Sequence, residues 1–172
     1  MHALLILDMQ VGLFHGPDQP WRSAALLDAV NLLLDKAHQA GAPVFLARHV
    51  GPPGSPIEPG SPLTRLIDEL RLQGDEVIFE KTRPSAFAAT PLADWLRERG
   101  AEGVVIAGLK TQYCVDSTCR AVRDLDAVLV EDAHSCSDTE VLSAEQTVAH
   151  HNATLAGPFC RLVRAADWDF QP

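Results

Sequence analysis

Apolar runs of strand length alternate along the whole chain with longer segments whose apolar residues recur every three or four positions. That alternation leaves few folds open. Strand-length runs separated by helix-length stretches pair in parallel through right-handed crossovers, and helices then cover both faces of the sheet. The runs are apolar at successive rather than alternate positions, as strands buried on both faces require. Six are read: 3–7 (ALLIL), 43–47, 77–80, 103–107, 127–130 and 160–163. Between the first two, residues 23–40 carry a helical stripe of Leu26, Leu27, Val30, Leu33, Leu34 and Ala37 that stops at Gly41. A second helix is expected over 91–99, with Thr90 as cap, Pro91 in its first turn and Gly100 past its end. Two more are expected over 112–123 and 139–155, the last capped by Asp138 or Thr139. Residues 51–62 hold five prolines and three glycines and read as an irregular loop, a functional flap or a tolerated insertion.

The pattern predicts an α/β fold with a six-stranded parallel sheet. The chain of 172 residues is read as one domain, 1–172. Lys and Arg number 14 against 23 Asp and Glu, a net charge of −9. The basic residues form no run, so neither nucleic acid nor an anionic membrane is an expected partner. No apolar stretch nears the ~20 residues that span a bilayer. The opening MHALLILDMQ has no basic segment before its apolar run and reads as a strand, not a signal peptide. The four cysteines, Cys114, Cys119, Cys136 and Cys160, form no CxxC pair and no zinc spacing. They are too few for a secreted disulfide framework, so a reducing, cytoplasmic compartment is expected.

In open parallel sheets ligands bind beyond the carboxyl ends of the strands. That rule selects Asp8, the segment after Val50, Lys81, the loop 108–114 and the segment 132–137. Asp8 ends an apolar strand, where a carboxylate serves either as a general acid or base or as a helix cap. Lys81 ends the third strand, one of only three lysines in the chain; a snorkelling surface lysine has the same signature. Cys114 follows the fourth strand near the expected helix start, where backbone N–H groups and the helix dipole favour a thiolate and can hold an oxyanion. A small buried hydrophobe is the other reading of such a cysteine, and it is the one given to Cys119, Cys136 and Cys160. Together a carboxylate, an ammonium and a thiol at one sheet edge make up a nucleophilic hydrolase. No catalytic histidine is obvious, which disfavours a Cys/His pair; His134, after the fifth strand, is the best candidate for one. The first loop, DMQVGLF, lacks a glycine-rich nucleotide fingerprint.

The segments LLILDMQ, EKTRPSAF, VVIAGLKTQYCV and EDAHSCSDTEVLSAEQTVAHHNATL follow one another over nearly the whole chain. In them the chain resembles the isochorismatase-like cysteine hydrolases, which include nicotinamidases and N-carbamoylsarcosine amidohydrolase. The resemblance implies a sheet ordered 3-2-1-4-5-6 and a catalytic set of Asp8, Lys81 and Cys114. It implies a cis peptide between Leu109 and Lys110, with the N–H groups of Lys110 and Cys114 forming the oxyanion hole. It also implies a homo-oligomer. Metal-binding members carry Asp-x-His after the second strand, where this chain has Ala47, Arg48 and His49, so neither metal nor cofactor is expected. The implied reaction is cleavage of a carbon–nitrogen bond of a small molecule through a thioester. Vinyl-ether hydrolysis with Asp8 as acid, and a non-catalytic small-molecule-binding module, are the alternatives. Gln10, Phe14, Arg48, His49, Phe87 and Tyr113 flank the strand ends and are the substrate-binding candidates.

Overall fold

The computed structural model describes residues 1–171. Six parallel strands form one sheet in the order β3-β2-β1-β4-β5-β6. They are β1 (His2–Leu7), β2 (Val44–His49), β3 (Val77–Lys81), β4 (Gly103–Leu109), β5 (Asp126–Ser135) and β6 (Arg161–Val163). Successive residues of β1 point to opposite faces and feed two cores. Leu4 and Ile6 pack with Leu26, Val30, Leu33 and Leu34 of α2 (Ser23–Ala40). Ala3, Leu5 and Leu7 pack with Leu92 and Leu96 of α3 (Leu92–Glu98), Cys119 of α4 (Asp116–Ala121) and Leu155 of α5 (Ala144–Leu155). A one-turn helix, α1 (Val11–Phe14), follows β1.

The differences from the sequence reading lie at element ends, where tertiary contacts decide. The helix expected over 139–155 starts only at Ala144. Ser143 and Gln146 cap it reciprocally, while Thr139 is tied into a turn by accepting from Val141 and Leu142. The helix expected over 112–123 opens instead as a π-helical turn, Thr111–Val115, before α4. There the Lys110 carbonyl accepts from the N–H groups of both Tyr113 and Val115. Strand β5 runs on to Ser135, because a register shift after Ile106 lets His134 and Ser135 pair with Gly108 and Leu109.

Register also positions the strand ends that matter. His49 lies opposite Lys81 across β2 and β3, and Leu7 lies between Ala47 and Gly108. At Gly108, φ is +115°, and an added Cβ would fall 2.1 Å from the Leu7 carbonyl oxygen. Only glycine lets the end of β4 approach β1 this closely.

Candidate active site

Asp8 leaves β1 in the left-handed region, at φ +54°. That conformation is uncommon for a residue with a side chain and collects at functional sites. It seats a carboxylate that is fully buried. Asp8 Oδ2 lies 2.9 Å from Lys81 Nζ, an ion pair in which both side chains are sealed from solvent. The Lys81 ammonium also lies 3.1 Å from Cys114 Sγ, 3.1 Å from His49 Nδ1 and 3.3 Å from the Arg83 carbonyl. Lys81 can therefore reach this buried position only because an anion, a sulfur and an imidazole converge on it.

Electrostatics follow from the burial. Burial pushes the Asp8 pKa above the usual carboxylate range, and the Lys81 ammonium offsets only part of the rise. Burial, and then the Asp8 carboxylate, push the Cys114 thiol up to about 12. Cys114 at rest is thus a thiol. This corrects the expectation that the helix start would hold a thiolate, because desolvation and a neighbouring anion outweigh the dipole of a one-turn π segment.

Asp8, His49 and Cys114 each bring a metal-ligating atom within 4.8 Å of the others. The Lys81 ammonium lies against all three, and a divalent cation there would have to displace it.

Asp8 and Cys114 line a cavity of about 250 Å³, completed by Leu13, His49, Ile57, Pro84, Lys110 and Tyr113. Ile57 belongs to the proline- and glycine-rich segment, which thus forms one wall. The loop is internally braced: Gly51 N–H donates to the Ile57 carbonyl and Gly54 N–H to the Glu58 carboxylate. The peptide between Leu109 and Lys110 is cis.

Of the six substrate candidates, His49 and Tyr113 line the cavity and the other four do not. Gln10 is fully buried, donating to the carbonyls of His49 and Thr64 and accepting from the His49 N–H. It clamps the end of β2 and has no polar atom left for a ligand. Phe14 packs in the α2-side core and Phe87 against the opposite one. Arg48 pairs with Glu80 at 2.8 Å. Leu13, Ile57 and Pro84 were not singled out from sequence. The only signals for them were membership in the DMQVGLF, loop and EKTRPSAF segments, since an apolar wall residue looks like any other.

His134 is also placed away from the cavity. It is buried, bonded through Nδ1 to Thr111 Oγ1 (2.9 Å) and through Nε2 to Asn152 Oδ1 (2.8 Å). Asn152 Nδ2 donates to the Glu131 carbonyl, so its oxygen is left to accept from His134 Nε2. Nδ1 is then the acceptor for the Thr111 hydroxyl. The chain runs from α5 through β5 to the first residue of the π turn that carries Cys114.

A parallel six-stranded α/β sheet with reactive groups beyond its strand ends defines the class of protein. The family model described as the isochorismatase domain matches residues 2–165. The secreted isochorismatase effector Isc1 of Verticillium dahliae is 31% identical over 168 residues, covering 96% of this chain and 88% of that protein. Ureidoacrylate amidohydrolase RutB of Acinetobacter baylyi is 44% identical over 55 residues, which are 32% of this chain and 22% of that protein. A crystal structure of an isochorismatase family protein superposes with a TM-score of 0.87 at 32% identity, covering 94% of this chain and 97% of that one. The chain belongs to the isochorismatase family of hydrolases. No helix among the described residues is long and apolar enough to cross a membrane.

Proposed function

We propose that the chain hydrolyses a carbon–nitrogen bond in a small amide through a thioester on Cys114, without a metal. The observation that carries this reading is a single buried ammonium 2.9 Å from an acid and 3.1 Å from a thiol, the acid and the thiol both lining a cavity of about 250 Å³. Kinship with an amidohydrolase supports it. The proton of the Cys114 thiol passes to Asp8, and sulfur attacks the carbonyl carbon. Lys81 stabilises the thiolate as it forms and keeps the acid oriented. The N–H groups of Lys110 and Cys114 hold the tetrahedral oxyanion. Asp8 returns its proton to the leaving nitrogen, the carbon–nitrogen bond breaks, and the amine departs. Water then attacks the thioester, giving up a proton to Asp8, and the carboxylic acid leaves with the thiol restored. A raised Asp8 pKa suits a group that must both take and return a proton near neutrality.

The cavity is smaller than the ~300–1,000 Å³ of common ligand pockets, in keeping with a small substrate. All four cysteines are buried free thiols, which fits a reducing compartment. A homo-oligomer is part of the same reading. The test is Cys114→Ala. Amine release from a panel of small amides should vanish while the unfolding midpoint stays near wild type. Unchanged amine release would remove Cys114 as the nucleophile and overturn the thioester mechanism.

A further inference from the structure

His49 faces two ways. Its Nδ1 lies 3.1 Å from Lys81 Nζ. An ammonium carries hydrogens and no lone pair, so Nδ1 is the acceptor in that contact. A neutral ring that accepts at Nδ1 bears its proton on Nε2. A second proton would set a like charge against Lys81 in a half-buried place. Burial, then that ammonium, hold the His49 pKa below its ordinary value, with Asp8 acting in the opposite sense.

Nε2 has no hydrogen-bond partner among the described residues and is not one of the sealed, unpartnered atoms. The ring lines the cavity. Its backbone is pinned on both sides by Gln10, which accepts from the His49 N–H at 2.7 Å and donates to its carbonyl at 3.0 Å. One rigid N–H donor is therefore presented beside the Cys114 thiol, against walls of Leu13, Ile57 and Pro84 that offer no polar side-chain atom; Tyr113, the wall residue with a hydroxyl, is exposed. The neighbouring cations are already engaged, Arg48 by Glu80 and Lys110 Nζ by Ser137 Oγ. The ring supplies a dipole rather than a charge.

We propose that His49 is a specificity-determining residue. It donates from Nε2 to an oxygen on the acyl part of the substrate, and so selects small primary amides with a neutral oxygen acceptor near the scissile carbonyl. This rests on the amide-hydrolysis reading above. A site built around a donor discriminates against an analogue that lacks the acceptor, because the donor is then left unpaired.

The test uses acetoacetamide and butanamide, which share a chain length and differ by one ketone oxygen. Wild-type protein should favour acetoacetamide in kcat/KM by at least about tenfold. His49→Gln keeps a donor at the reach of Nε2 and loses the contact to Lys81. His49→Asn keeps an acceptor at the reach of Nδ1 and loses the donor. The preference should survive in His49→Gln, whatever its absolute rate, and disappear in His49→Asn. The reverse pattern would mean that His49 serves only to hold Lys81, and would overturn the proposal. So would wild-type hydrolysis of both amides without preference, which leaves the amide-hydrolase reading standing. If wild type hydrolyses neither, calorimetric binding to Cys114→Ala decides. Tighter binding of acetoacetamide that is lost on adding His49→Asn supports the role of His49, while the amidase reading then rests on the amide panel alone. Equal or no binding overturns the role of His49.

Discussion

Acid should cost this protein stability through one buried histidine. His134 is only 3% exposed, and burial holds its pKa down to about 4 from an ordinary 6.5, although its bond to Asn152 works against the drop. Between those values the unfolded chain binds a proton at this position and the folded chain does not. Stability is thus fully present above pH 6.5 and falls as the pH is lowered toward 4. At ~1.4 kcal/mol per pH unit the full loss is about 3 kcal/mol, a large share of the ~5–15 kcal/mol that a domain has. Protonation at Nδ1 also reverses its bond with the Thr111 hydroxyl, which must then accept, and Thr111 opens the turn that carries Cys114. The assay is urea denaturation at pH 7.5 and 4.5 for wild type and His134→Gln. Glutamine keeps a donor for Asn152 and has nothing to titrate. It lowers stability at both pH values, but wild type should lose about 2.5 kcal/mol more than the variant between them. Titrating groups remote from His134 are common to both chains and cancel. Equal losses in the two proteins would refute the buried-neutral assignment.

With burial and Asp8 holding the Cys114 thiol up to about 12, iodoacetamide should label Cys114 more slowly at pH 8–9 than it labels a free thiol. Faster labelling, read by peptide mass spectrometry, would mean that the resting nucleophile is a thiolate. Gln10→Leu strips three backbone groups of their partners and should cost about 2–4 kcal/mol in chemical denaturation, with little change in KM for any amide turned over. An isolated KM effect would make Gln10 a ligand contact after all. Gly108→Ala places a Cβ against the Leu7 carbonyl, so folded, soluble protein with native circular dichroism would contradict the close approach of β4 to β1.

Much of this protein is determined by residues close together in sequence. Unbroken apolar runs declare doubly covered strands, and the stripe from Leu26 to Ala37 is buried as its spacing demands. Asp8, Lys81 and Cys114 are weak signals singly and stand out together, as a carboxylate, an ammonium and a thiol at one sheet edge. Even the true start of α5 was legible, since Ser143 and Gln146 have capping-box spacing. Tertiary structure decided the rest. Whether Gln10 reads a substrate or clamps β2 depends on which carbonyls lie near it, and residues 39 and 54 positions away supply them. The state of Cys114 could not be inferred from a helix start, because desolvation by the assembled sheet and a carboxylate from β1 outweigh the local dipole. His49 acquires its tautomer only from strand register, which sets it opposite Lys81. Sequence periodicity reports which face a side chain takes. Which long-range neighbour it meets there, and hence its protonation and its chemistry, exists only once the strands have paired.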